Sequence, residues 1–155
     1  MSAAQPVPRR LLASFTIASQ EGGERLALRR VAKALPQRLL SGERQQRLQT
    51  AVAEATMNAI EHGNQGVARV PVHIEVFESP GEVVVSISDQ GGAAAQASPE
   101  EPDLELKLAG QQTPRGWGLF LIRHMVDAMD ITTEGHRHTV WLTMRTGAEE
   151  VKENS

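Results

Sequence analysis

The chain has no cysteine and no tyrosine, and its 155 residues include only 2 Trp and 3 Phe. A disulfide scaffold and thiolate chemistry are therefore excluded, and Leu, Val, Ile, Met and Ala must fill the core. No apolar run is long enough to span a bilayer. The opening MSAAQPVPRR has no apolar stretch after early positive charge, so it does not read as a secretion signal. Cytoplasm is the expected compartment, with no membrane partner. Charge of one sign is also lacking: 16 Lys and Arg stand against 19 Asp and Glu, a formal net charge of −3. Without a basic field, general nucleic-acid binding is not expected. The 40% of apolar residues in this length suits one folded domain with a sizeable core.

Residues 1–10 read as a loose tail, 11–146 as the domain and 147–155 as a second tail. Leu11 to Ile17 reads as a first strand. Glu24 to Leu35 carries Leu28, Val31 and Leu35 at helical spacing and ends before Pro36. Ser41 caps a second helix with Glu43 in its first turn. Val70 to Glu78 and Val83 onward alternate in polarity around Ser79-Pro80-Gly81, a hairpin-like pair. Arg115 to Asp130 has Leu119, Ile122, Val126 and Met129 at helical spacing. Further strands are expected at 131–133 and 139–145, around EGHRH. His136 and His138 share a strand face there. With no third ligand evident, an exposed hairpin is the expectation rather than a metal site. Residues 90–114 are rich in Ala, Gln, Pro and Gly, and separate two well-patterned elements. Within them, DLELKLA (103–109) could form a turn or two of helix. A loop of that length is either a functional lid or disordered.

The second helix holds the sharpest signal. EATMNAIEHG places Glu54, Asn58 and His62 at steps of four residues, one polar stripe on a helix of 3.6 residues per turn. Leu48, Val52, Ala55 and Ala59 form the apolar stripe beside it, so the polar groups border the core. Taken singly, each residue is ordinary. Glu54 fits a solvated surface, Asn58 a local backbone contact, and His62-Gly63 a helix ending.

Two later segments could complete a site. VVVSISDQGG reads as a half-buried strand ending at Asp89, followed by Gly91 and Gly92. Such an Asp can accept from an exocyclic amine, and glycines permit close backbone approach. A plain strand-to-turn exit fits the same residues. In RGWGLFLIRHMVDAMD, Gly116 and Gly118 lie at a helix start. There they suit either a phosphate at the free N–H groups or close helix–sheet packing.

In this order, the three segments resemble the N, G1 and G2 boxes of the GHKL ATPase superfamily, and most of all the RsbW-type anti-sigma-factor serine/threonine kinases. The resemblance runs from about Leu11 to Arg145. It implies a Bergerat arrangement, an α+β two-layer sandwich with a mixed, mainly antiparallel sheet and helices on one face. It implies ATP and Mg²⁺ as cofactors, Glu54 as the catalytic base, and Asn58 as the metal ligand. The cofactor-binding residues it implies are Asn58, His62, Asp89, Gly91, Arg115, Gly116, Gly118, Leu119 and Thr139. Asp89 would read the adenine amine with help from Thr139. Residues 90–115 would be the ATP lid. The implied partners are a STAS-type antagonist as phosphoacceptor, a sigma factor, and a second copy of the chain. The family's Asp-x-Gly-x-Gly departs here to Asp89-Gln90-Gly91-Gly92-Ala93. A non-catalytic ATP-dependent binding module and a detached histidine-kinase-like catalytic domain are the alternatives.

Overall fold

A computed structural model describes residues 9–37, 39–91 and 115–146, and the side chains of all these except 115–117. The lid assigned to 90–115 falls outside this set over 92–114, as do the tails over 1–8 and 147–155 and the short helix considered at 103–109.

Alternation of apolar residues with period 2 sets the sheet. β1 (Arg10–Ile17), β2 (Val72–Ser79), β3 (Glu82–Asp89), β4 (Ala128–Glu134) and β5 (Arg137–Arg145) form one five-stranded sheet in the order β1-β2-β3-β5-β4. All four pairings are antiparallel. Strand β1 begins one residue inside the expected tail, with Arg10 bonded to Glu78 at 3.1 Å. The β2–β3 turn falls at Pro80-Gly81. Gly81 has φ +85°, which an L side chain rarely adopts.

Helices α1 (Gly23–Ala34), α2 (Gly42–Asn58) and α3 (Arg115–Met125) cover one face of the sheet. Ser41 caps α2 as expected, its hydroxyl accepting from Arg44 N–H at 3.3 Å. The core between the layers joins Ala27 and Val31 of α1, Leu48, Val52 and Ala55 of α2, and Ile122 of α3. Opposite them lie Ile74, Val76, Val85, Ile87, Leu142 and Met144 of the sheet.

Two expectations change here. Strand β3 was expected to be half-buried, but every residue from Val83 to Asp89 is buried. It is the central strand, and its open-face residues Val84, Ser86 and Ser88 are small. Larger neighbours flank them: Phe77 pairs with Val84, and Trp141 with Ser86. The Phe77 and Trp141 rings stack at 6.4 Å between centroids. The last helix was expected to reach Asp130, but α3 ends at Met125, and Met129 pairs with Leu142 in β4. The switch occurs at Asp127. Its N–H donates to Thr143 O at 3.0 Å, and its carboxylate accepts from Arg145 N–H at 2.6 Å and from Arg44 at 3.2 Å. These long-range bonds draw the chain into the sheet, where Ile131, Thr132 and Thr133 suit a strand.

Candidate active site

The α-helical part of α2 stops at Asn58. The chain continues through a π-helical turn, Ala59–Gly63, in which Asn64 N–H reaches Ala59 O at 2.8 Å. Such wide turns frequently interrupt helices at functional sites. Glu54 and Asn58 stay one turn apart on the α-helix. His62 lies beyond the change of pitch and, although half-buried, does not line the cavity formed by its neighbours.

The π-turn delivers Gly63 to the end of β3. An added Cβ on Gly63 would lie 2.2 Å from Cγ of Asp89, and one on Gly91 would lie 1.4 Å from Gly63 O. Gly63 thus makes room for the Asp89 carboxyl, and Gly91 for the Gly63 backbone. Asp89 is only 3% exposed. Its Oδ1 accepts from Gly91 N–H at 2.9 Å, which holds a buried carboxylate in place.

Asn64, which no sequence motif singles out, locks this corner. It is 5% exposed. Its amide donates to Ser19 Oγ at 2.8 Å, Val70 O at 3.0 Å and Pro71 O at 3.2 Å, and its oxygen accepts from Gln90 N–H at 2.8 Å. One side chain joins the β1–α1 loop, the loop before β2 and the exit of β3.

His138 is a correction. It was expected on an exposed hairpin with His136, and only His136 is exposed. His138 pairs with Asp89 across β3 and β5, and its Nδ1 lies 3.4 Å from Asp89 Oδ2. Thr139, by contrast, pairs with Ser88 on the opposite face of the sheet, hydroxyl to hydroxyl at 2.8 Å. Neighbouring strand residues point to opposite faces, so Thr139 does not meet Asp89. The alternation of Val140, Leu142 and Met144 already puts His138 on the core side.

Helix α3 closes the site. Gly118 faces the stripe of α2: a Cβ there would lie 3.0 Å from Asn58 Nδ2 and 3.4 Å from Glu54 Oε1. Gly116 lies in the first turn of α3, and the side chain of Arg115 lies outside the described residues. Ala55, Asn58, Ala59, Ile87, Asp89, Leu119, His138 and Val140 line a cavity of about 10 Å³. That is about the space of one water. Asn58 Nδ2 and His138 Nδ1 are buried with no hydrogen-bond partner among the described residues. Burial, and secondarily the charge of Glu61, raise the Glu54 carboxyl above its ordinary value.

The donor set fits an adenine nucleotide with a hard cation. Asp89 offers an acceptor in an apolar slot, and Asn58 offers an amide oxygen of the kind Mg²⁺ takes together with phosphate oxygens. Among the described residues no three His, Cys, Asp or Glu side chains gather as a protein-only metal site. A larger cleft of about 650 Å³ lies at the other end of β3, between Arg9, Glu78 and Thr146. It carries no comparable convergence of acid, amide and imidazole. On the open sheet face, Ser14 and His73 look like a nucleophile–base pair at 2.9 Å. Arg137 occupies His73 Nδ1 at 2.8 Å. Nε2 is therefore the N–H, and His73 cannot take a proton from Ser14. Among the described residues no helix is long and apolar enough to cross a membrane.

Comparison with known proteins agrees with this geometry. A search of curated proteins gives no match. Among solved structures, the RsbU and RsbW domains of Rv1364c from Mycobacterium tuberculosis superpose with TM-score 0.61 at 18% identity. The match covers 91% of this chain and 33% of that one. The SiaB–SiaC complex from Pseudomonas aeruginosa matches with TM-score 0.59 at 15% identity, over 87% of this chain and 90% of that one. At these identities the likeness is one of fold. The model of the histidine kinase-like ATPase domain matches residues 18–144, and the chain belongs to that family.

Proposed function

We propose that the protein binds Mg·ATP and transfers the γ-phosphoryl group to a Ser or Thr of a STAS-type partner, as an anti-sigma-factor-type kinase that also holds a sigma factor. The observation that carries this reading is that Asn58 of α2 lines one cavity with Asp89 of β3 and lies with Glu54 against the backbone of Gly118. Bound Mg·ATP supplies the transferable phosphoryl group and the charge-neutralising cation. Asp89 accepts from the exocyclic amine of the base. The Asn58 oxygen holds the cation. Glu54 accepts the proton of the attacking hydroxyl, for which a carboxyl of raised pKa is better suited than an ordinary one. N–H groups in the first turn of α3 face phosphate oxygens. Phosphoryl transfer needs chiefly this positioning and charge. The cavity of about 10 Å³ is too small for a base, so its lining must open when the nucleotide enters. The SiaB–SiaC assembly lends support to a protein partner, and homodimerisation belongs to the same reading.

The test is transfer of radiolabel from ATP to a purified STAS-domain protein. Acid-stable label on Ser or Thr is expected. Acid-labile label would indicate phosphohistidine and a histidine-kinase-like domain. ATP binding without transfer would indicate a non-catalytic module.

A further inference from the structure

We infer that His138 is a second base-reading residue, whose Nδ1–H donates to the ring nitrogen next to the amine that Asp89 accepts. The inference rests on the adenine-nucleotide reading above and deepens it. The register of β3 and β5 places His138 directly opposite Asp89, on the helix-facing side of the sheet. Both line the same cavity, where Asn58 is the only other polar residue among six neighbours. The ring is part-buried, and its Nδ1 is fully shielded from water. A core histidine normally satisfies such a nitrogen with a carbonyl or a carboxylate. Here the one polar contact of Nδ1 among the described residues is Asp89 Oδ2 at 3.4 Å, which is not aligned as a hydrogen bond. A shielded N–H with no aligned acceptor is costly, and the cost is relieved by an acceptor on a ligand that fills the cavity.

The tautomer follows from the neighbour. Two lone pairs facing each other across that distance would repel, so the nitrogen toward Asp89 carries the proton. The cavity therefore presents an acceptor, Asp89, beside a donor, His138. Adenine presents the complement: an amine donor beside the N1 acceptor. No covalent change is involved. Thr139 cannot take this role because it points to the other face.

Calorimetry on the full chain with ATP, 1-deaza-ATP and 7-deaza-ATP tests the inference. The first analogue replaces N1 by CH, and the second alters a nitrogen on the other side of the ring. Wild type should bind 1-deaza-ATP about tenfold more weakly than ATP, as for one lost hydrogen bond. It should bind 7-deaza-ATP like ATP. His138→Val should bind ATP about tenfold more weakly and lose the discrimination against 1-deaza-ATP. His138→Asn keeps an N–H near the Nδ1 position and should retain most of the discrimination. Equal binding of ATP and 1-deaza-ATP by wild type overturns the inference and leaves the ATP reading standing. Discrimination that survives in His138→Val also overturns it. Absence of any adenine-nucleotide binding by wild type overturns both. If His138→Val does not fold, the wild-type comparison of the two analogues decides alone.

Discussion

Gly63 and Asp89 are in van der Waals contact across the junction of α2 and β3, with no room for even one methyl group between them. A Cβ on Gly63 would lie 2.2 Å from Asp89 Cγ and 2.3 Å from Oδ2. The end of the N-box helix and the carboxylate proposed to read the base are therefore one mechanical unit. Gly63→Ala should turn the carboxylate away or push β3 off its register. The expected loss is about 1–3 kcal/mol of stability, as for other overpacked sites, with ATP affinity falling more than tenfold. Gly91→Ala should be worse, because its Cβ would meet the backbone oxygen of Gly63 at 1.4 Å and a backbone cannot rotate aside. Urea unfolding and calorimetry on both variants check the order. Wild-type affinity in Gly63→Ala would show that Asp89 is not needed in its present position.

Asn64 provides the second prediction. Its amide makes four hydrogen bonds to three separate segments, and the residue is nearly fully buried. Asn64→Ala leaves two carbonyls, a hydroxyl and an N–H without this partner. A loss of about 2–4 kcal/mol is expected, since each abandoned buried group costs more than the net value of its bond. The bond to Gln90 N–H also fixes the residue after Asp89, so nucleotide affinity should fall even in the molecules that remain folded. Chemical denaturation separates the two effects from titrations done well below the unfolding midpoint. A destabilised variant with unchanged affinity would confine Asn64 to a structural role.

What could be read from the chain and what could not divide along physical lines. Helix α1, the Ser41 cap and the β2–β3 hairpin depend on local chemistry, and all were legible. Glu54, Asn58 and Asp89 were legible as candidates because spacing on one helix and a strand-end carboxylate need no tertiary knowledge. Met129 was misplaced because its spacing from Leu119, Ile122 and Val126 fits a helix equally well. Only the long-range bonds of Asp127 to Arg145, Thr143 and Arg44 decide otherwise. Asn64 was invisible because a lone Asn before Gln-Gly reads as a turn, and its partners lie up to 45 residues away. Thr139 was assigned to the adenine contact by resemblance alone, whereas it pairs with Ser88 on the face away from Asp89. The period of the strand already carried this facing: Val140 faces the core, and so does His138 two residues before it.

A pH prediction follows from Glu54. Burial first, and the charge of Glu61 second, raise its carboxyl above the ordinary value. In its proposed role as the acceptor of a proton, Glu54 must be ionised. The acidic limb of the transfer rate should therefore rise through a pH window above that of an unperturbed glutamate. Glu61→Gln removes the like charge, so it should move that limb to lower pH without abolishing transfer. Stability has the opposite sign. Between the unfolded and folded pKa values the folded state binds more protons, so stability falls as pH rises through that window. Glu54→Gln should flatten this slope and stop phosphoryl transfer while leaving ATP binding close to wild type. Rate–pH and denaturation–pH profiles check both signs. Unchanged transfer in Glu54→Gln would exclude Glu54 as the base.

Gly118 separates stability from metal binding. Its added Cβ would stand 3.0 Å from Asn58 Nδ2, 3.3 Å from Oδ1 and 3.4 Å from Glu54 Oε1. All three are ends of side chains, so they can turn rather than force the helix off. Replacing a helical Gly by Ala gains about 1 kcal/mol of propensity, comparable to the cost of moving two side chains slightly. Gly118→Ala should therefore melt within a few degrees of wild type, by the usual conversion of such differences. The Asn58 amide, however, is turned from the orientation in which its oxygen is proposed to hold a cation. The gain in ATP affinity on adding Mg²⁺ should shrink in Gly118→Ala, as in Asn58→Ala, while binding in the presence of a chelator stays near wild type in both. Calorimetry with Mg²⁺ and with EDTA reads this difference directly. A full Mg²⁺ effect in both variants would remove Asn58 from the metal site and leave the close approach of Gly118 to serve helix packing alone.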